Sequence, residues 1–272
     1  MITHNNTTYK LFDAHTHAFP DAIAQSAIGA LSHNADIPFF HDGRFASLCE
    51  FESRADGFLL LPIATKPHQT HAVNTWAAQK IGGKALAFGS VHPDSRCLTD
   101  ELNELCRLGL RGIKFHPEYQ QFFVDEERCF PLYEAIFAHG LPIVFHAGAD
   151  LAYSPPYHCT PKRLAHVLDA FPAARIIAAH MGGFQMEREA ADLLAGRDNL
   201  WIDTAYAAGL LPPDQFDRLL AAHRKDRILF ATDAPWMRLD EAINAILSAD
   251  LTPPERSAIF YDNAATLLGL PK

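Results

Sequence analysis

No stretch of this sequence approaches the run of about 20 apolar residues that a membrane-spanning helix needs, so no membrane partner is expected. The opening residues, MITHNNTTYK, lack the basic and apolar segments of a secretory leader. Basic residues are in deficit: 23 Lys and Arg stand against 32 Asp and Glu, for a formal net charge of −9. That is the wrong sign for a surface that neutralises phosphates, so no nucleic-acid partner is expected. Cysteine is sparse. Cys49, Cys97, Cys106, Cys129 and Cys159 are odd in number and include no CxxC pair, which argues against a disulfide framework and for reduced thiols in a cytoplasmic protein. Low-complexity tracts and linker-like stretches are missing as well. The 272 residues are 49% hydrophobic, ample for a large core, and the expectation is one domain over 1–272.

Short apolar runs alternate with longer amphipathic stretches. Eight such runs read as buried parallel strands: Leu11–Phe19, Gly57–Thr65, Ala85–His92, Leu110–His116, Pro142–Ala147, Arg175–His180, Asn199–Thr204 and Arg227–Asp233. Helical patterns lie between them. Thr99–Gly109 opens with a Thr cap and ends at Gly, Phe130–Gly140 has Pro in its first turn, and Thr160–Phe171 opens Thr-Pro. Eight βα units in one chain of this length predict a (β/α)8 TIM barrel. The first crossover, Asp21–Arg54, reads as long and irregular.

The chemistry-bearing residues fall at the carboxyl ends of the expected strands, the end where active sites of such barrels are built. In Asp13-Ala14-His15-Thr16-His17 the two imidazoles are two residues apart, so strand alternation sends both to one face. The fifth strand ends at His146, the sixth at His180 and the eighth at Asp233. His15, His17, His146 and Asp233 make a nitrogen-rich shell suited to Zn²⁺, and also to Mn²⁺, Fe²⁺ or Co²⁺. His180 reads as either a ligand or a base. On the fourth strand Ile113 and Phe115 face the helices, leaving Lys114 and His116 towards the barrel mouth. Lys114 anchors an anionic substrate, bridges a second metal once carboxylated, or pairs with Glu118 or Asp150; His116 contacts substrate or caps the strand before Pro117. Tyr153, Tyr157 and Cys159 occupy the loop after the fifth strand, where Tyr153 is the candidate substrate contact. Cys159 has no identifiable base. His92, His139, His158, His166 and His223 read as surface or loop residues, and Asp125-Glu126-Glu127 as a solvated helix start.

The segments DAHTHAF, GIKFHPEYQ, PIVFHAG, IIAAHMGG and ILFATDAPW, with the ending YDNAATLLGL, resemble the amidohydrolase superfamily from Leu11 to Leu270. More narrowly they resemble its amidohydrolase-related (amidohydrolase 2) branch, which includes aminocarboxymuconate-semialdehyde and resorcylate decarboxylases. The resemblance implies a distorted barrel with one divalent metal, usually zinc, held by His15, His17, His146 and Asp233. It implies that His180 acts on bound water or substrate, as in single-metal members, or is a ligand, as in two-metal members. The GIKFHP segment is similar to hydrolase-like members.

The first expectation is therefore hydrolysis of an ester, lactone or amide-type bond in a small anionic substrate, by water activated on the metal. Such an ion lowers the pKa of bound water from about 15.7 towards about 7. Asp233 takes and returns the proton, His180 orients substrate, and Lys114 and His116 hold a carboxylate or carbonyl oxygen. The alternative is non-oxidative decarboxylation or hydration of an unsaturated or aromatic acid. Further rivals are a TatD-type phosphoesterase, against which Gly89-Ser90-Val91-His92 stands where that type has a Glu, and a metal-free binding barrel. The expected partner is a small-molecule substrate, and self-association into a homo-oligomer is compatible with the sequence.

Overall fold

The computed structural model describes residues 1–271. It opens on an antiparallel hairpin that the sequence reading missed, β1 (Ile2–His4) paired with β2 (Thr7–Tyr9). Eight short parallel strands follow, one inside each expected run: β3 (Phe12–Thr16), β4 (Gly57–Leu60), β5 (Ala85–Ala87), β6 (Ile113–Phe115), β7 (Ile143–Phe145), β8 (Ile176–Ala178), β9 (Leu200–Asp203) and β10 (Ile228–Leu229). Strands β3 to β5 pair in order, as do β6 to β10. Two parallel bridges, Gly89 with Ile113 and Thr16 with Ala234, join the two groups and close the sheet into a (β/α)8 barrel.

Alternation along these strands separates two apolar layers. Phe12, Leu59, Val144, Ile177 and Leu229 fill the barrel interior, whereas Phe58, Ile113, Phe115, Ile143 and Phe145 pack under the helices. Lys114, in register with Val144, is thereby committed to the interior side, as its period predicted. Phe145 stacks on Phe115 and meets Tyr133 edge-on, with ring centroids 5.5 Å apart in both cases.

The Asp21–Arg54 crossover is more regular than expected, holding α1 (Asp21–Ala35) and α2 (Phe45–Phe51). Its apolar residues are divided between two faces of α1, so no single stripe betrays a helix: Ala24 and Ile28 are buried in the core, while Ile23, Ala27 and Leu31 line a cavity. Helix α3 (Thr70–Ala78) follows β4, and α4 (Leu98–Arg107) follows β5. In α4 the cap position falls on Cys97 without a side-chain bond, so Thr99 is not the cap. Thr160 does cap the helix Pro161–Ala170, accepting from Arg163 N–H. The acidic run is bonded rather than merely solvated, since Asp125 pairs with Arg163 and His166, and Glu126 accepts from Phe123 N–H. Among the described residues no helix is long and apolar enough to cross a membrane.

Of the histidines expected at the surface or in loops, His139 and His166 are exposed, but His92 and His223 are buried. Nδ1 of His223 accepts Gly196 N–H and its Nε2–H donates to Leu200 O, both at 3.2 Å, a pairing only the neutral ring can make. Burial pushes its pKa down from 6.5 to about 4. The unfolded chain takes up that proton first, so stability is complete above pH 6.5 and falls as the pH drops towards 4.

Two outcomes follow for urea unfolding. Phe145→Ala lowers stability by about 3–5 kcal/mol, because a large ring leaves a close-packed layer. Between about pH 7.5 and about pH 5, His223→Gln loses less stability than the wild type, since it has no ring to protonate; an unchanged difference rules out the neutral-histidine account.

Candidate metal centre and active site

The ends of the strands deliver most of the expected residues to one place. His17 Nε2 lies 3.1 Å and His15 Nε2 3.4 Å from Asp233 Oδ1, and the potential donor atoms of these three residues are all within 4.8 Å of one another. His146 is one ring away from this trio. It stacks on His116 with centroids 4.2 Å apart, groups with His116 and Asp150, and reaches the trio through His180, whose Nε2 is 2.9 Å from His146 Nδ1.

The outward side of each ring fixes the state of its inward side. His15 Nδ1–H donates to Asp203 Oδ2 at 2.8 Å; the Nδ1–H groups of His17 and His180 donate to the carbonyls of Leu61 and Ala205 at 2.9 Å. Those oxygens only accept, so in all three rings Nδ1 carries a hydrogen and Nε2 is the atom turned to the interior. His146 Nε2–H donates to Ala149 O at 3.2 Å, which leaves its Nδ1 lone pair facing that of His180. Burial holds His15 and His146 well below the usual histidine pKa, which favours their neutral rings. Converging neutral imidazoles with one carboxylate fit a divalent cation.

Lys114 is almost fully buried, and its Nζ is 3.1 Å from His15 Nε2. Burial pushes its pKa down from 10.5 to about 8, opposed by Asp233 and Asp203. It pairs with neither expected partner, because Asp150 faces His116 Nε2 at 3.3 Å and Glu118 accepts His158 N–H at 2.7 Å. His116 lines the cavity, stacks on Tyr119 at 3.6 Å, and has its buried Nδ1 unpartnered; it precedes the short helix Pro117–Gln120 but makes no side-chain cap. Tyr153 lies beside Tyr119, ring centroids 5.8 Å apart. It is 42% exposed and outside the cavity wall, and Leu151 of the same loop lines the cavity instead. Cys159 is buried and burial pushes its thiol well above the usual range, which disfavours the thiolate that a nucleophile needs.

Sequence reasoning missed Asp203. Buried at the end of β9, it accepts from His15 Nδ1–H and from the backbone N–H groups of His180 and Ala205. Burial raises its pKa to about 6, with His180 opposing. The available signal was its strand-end position in Trp201-Ile202-Asp203-Thr204, equivalent to those of His180 and Asp233. Beneath the centre, burial also raises Asp13 to about 7 and its buried neighbour Glu52 well above the carboxylate range.

His15, His17, Lys114, His116, His146, His180 and Asp233 all open on one cavity of about 600 Å³. Its remaining wall is largely apolar and includes Ile23, Leu31, Val73 and Trp76 from α1 and α3.

Asp203→Asn is expected to weaken metal binding by about 10–100-fold, because the carboxylate that orients His15 is lost. Competition with a chelator measures the affinity, and an unfolding midpoint near wild type separates this effect from general loss of structure. Unaltered affinity contradicts the orienting role.

Comparison with known proteins is consistent with this geometry. The chain aligns at TM-score 0.75 and 19% identity with an uncharacterised TIM-barrel protein from Bordetella bronchiseptica, covering 96% of this chain and 98% of that one. It aligns at TM-score 0.70 and 16% identity with a 5-carboxyvanillate decarboxylase from Sphingomonas paucimobilis, covering 97% and 100%. A dihydroxybenzoic acid decarboxylase from Polaromonas, crystallised with manganese and the inhibitor 2-nitroresorcinol, aligns at TM-score 0.67 and 15% identity over 96% and 97%. No curated protein sequence matches the chain. The family model described as Amidohydrolase matches residues 12–270, and the chain belongs to that family.

Proposed function

We propose that this protein is a metal-dependent lyase that releases CO₂ from an unsaturated or aromatic carboxylic acid without net oxidation. The observation that carries the reading is the cavity, whose apolar walls meet clustered imidazoles, one lysine and the Asp233 carboxylate. Decarboxylases among the solved structures of the same fold support it, and they move decarboxylation ahead of the hydrolysis that the sequence favoured.

His15, His17 and Asp233 would hold one divalent ion, with His146, one ring away beside His180, as the proposed fourth donor; zinc suits the donor set, and manganese is the precedent in a structural neighbour. When bound, such an ion supplies a Lewis acid that draws charge from a substrate oxygen. Lys114 offers N–H donors to the acid group, beside His15. The apolar wall withholds water from a carboxylate whose charge spreads as the C–C bond breaks. Cleavage leaves the bonding pair on the substrate carbon, which must then take a proton. Asp233 is assigned that transfer, first taking a proton from solvent or from the substrate's own acid group and then passing it to the carbon, and His180, anchored through Nδ1–H to Ala205 O, orients the substrate. The proposed partner is thus a small molecule. The cysteines are free, in keeping with a reduced cytoplasmic setting.

A second reading, hydrolysis of an ester, lactone or amide-type bond, is favoured by the position of Asp233 Oδ1, 3.1 Å from His17 Nε2, where it can take a proton from water.

Assay of the metal-loaded protein for CO₂ release from aromatic and muconate-type acids, beside an ester, lactone and amide panel, decides between the two. CO₂ release establishes the first, and turnover of the second panel alone replaces it. In either case Asp233→Asn lowers turnover by at least about 10²-fold while the circular dichroism spectrum is retained; wild-type turnover removes Asp233 from the chemistry.

A further inference from the structure

Helices α1 and α3 each have one face turned to the core and another turned to the cavity. On α1 the cavity face is Ile23, Ala27, Ala30 and Leu31, spaced i, i+4, i+7, i+8; on α3 it is Ala72, Val73 and Trp76. Ile23 is 50% exposed and Leu151, from a third wall, 39%, so large apolar groups border this space without being covered. The charged residues lining the cavity, Lys114, Asp150 and Asp233, come from β6 and from the segments after β7 and β10, and neither helix contributes one. No arginine is in the wall. The volume of about 600 Å³ is in the range of pockets that enclose ligands much larger than a single benzoic acid ring.

We infer that the space between α1 and α3 is a subsite for an extended hydrocarbon tail. The substrate class is then an aromatic or unsaturated monocarboxylic acid with an alkyl or aryl-alkyl body. This inference rests on the proposed function for the position of the acid group, at the metal end. A tail laid along Ile23, Leu31, Val73 and Trp76 removes apolar surface of both partners from water. A second carboxylate placed there loses its hydration and meets no cation, because Lys114 is engaged at the other end beside His15.

Calorimetry of the metal-loaded full chain with n-alkanoates from acetate to octanoate, and with the matching n-alcohols, tests the subsite without relying on turnover. Affinity is expected to rise about fourfold per methylene before levelling. Adipate is expected to bind more weakly than hexanoate. Ala30→Trp, and independently Ala72→Trp on the facing helix, fill the space and lower the ratio of octanoate to acetate affinity. A flat chain-length series, or adipate tighter than hexanoate, overturns the tail subsite. A steep rise in both series with acids no tighter than alcohols keeps the subsite and instead removes the assignment of the acid group to the metal end.

Discussion

The seam between the first and last barrel strands is the constraint on which the centre depends. Strand β10 is only two residues long, so the closure is completed by Ala14 N–H to Phe230 O, Asp233 N–H to His15 O and His17 N–H to Ala234 O. Asp13 completes the join. Its carboxylate receives the backbone N–H groups of His15 and Thr232 and the Thr232 hydroxyl. Burying that carboxyl costs solvation, which these donors offset only in part, since its pKa still rises to about 7; the bonds nonetheless tie together residues more than 200 positions apart. Without this seam His15 and His17 would have no fixed relation to Asp233.

Above the seam the imidazoles are held from outside. Each ring nitrogen facing away from the centre is engaged by an oxygen: Asp203 for His15, Leu61 O for His17, Ala205 O for His180 and Ala149 O for His146. The rings are therefore oriented before any ligand arrives, and little reorganisation is needed to bind a cation. Burial works in the same direction by disfavouring protonated rings. The polar end of the cavity is built on strands of a closed barrel, and the apolar end on crossover helices. Rigid strand ends suit chemistry, while helices can change side chains without disturbing it.

Much of the barrel was legible because buried parallel strands write themselves as apolar runs of limited length. All eight runs contain a strand, although each strand is shorter than its run. His15 and His17 were legible by their two-residue spacing within the first run, and Asp233 as the polar residue that ends the last. The β1–β2 hairpin was not, since Thr7-Thr8-Tyr9 is too short and polar to stand out. Helix α1 was concealed by serving two apolar environments at once. The relation of Tyr153 to the cavity was not legible, because proximity in sequence to His146 says nothing about which way a loop turns, and in the fold Leu151 of that loop lines the cavity.

The sequence by itself determined the barrel, the inward phase of Lys114, and which side chains stand at the strand ends, because strand alternation and burial are local properties of the chain. Tertiary structure alone decided that Asp203 holds His15, that Asp150 pairs with His116, that His146 meets the trio through His180, and that α1 and α3 line one cavity. Those relations depend on distances between segments far apart in the chain, which periodicity does not encode and which only the closed sheet sets.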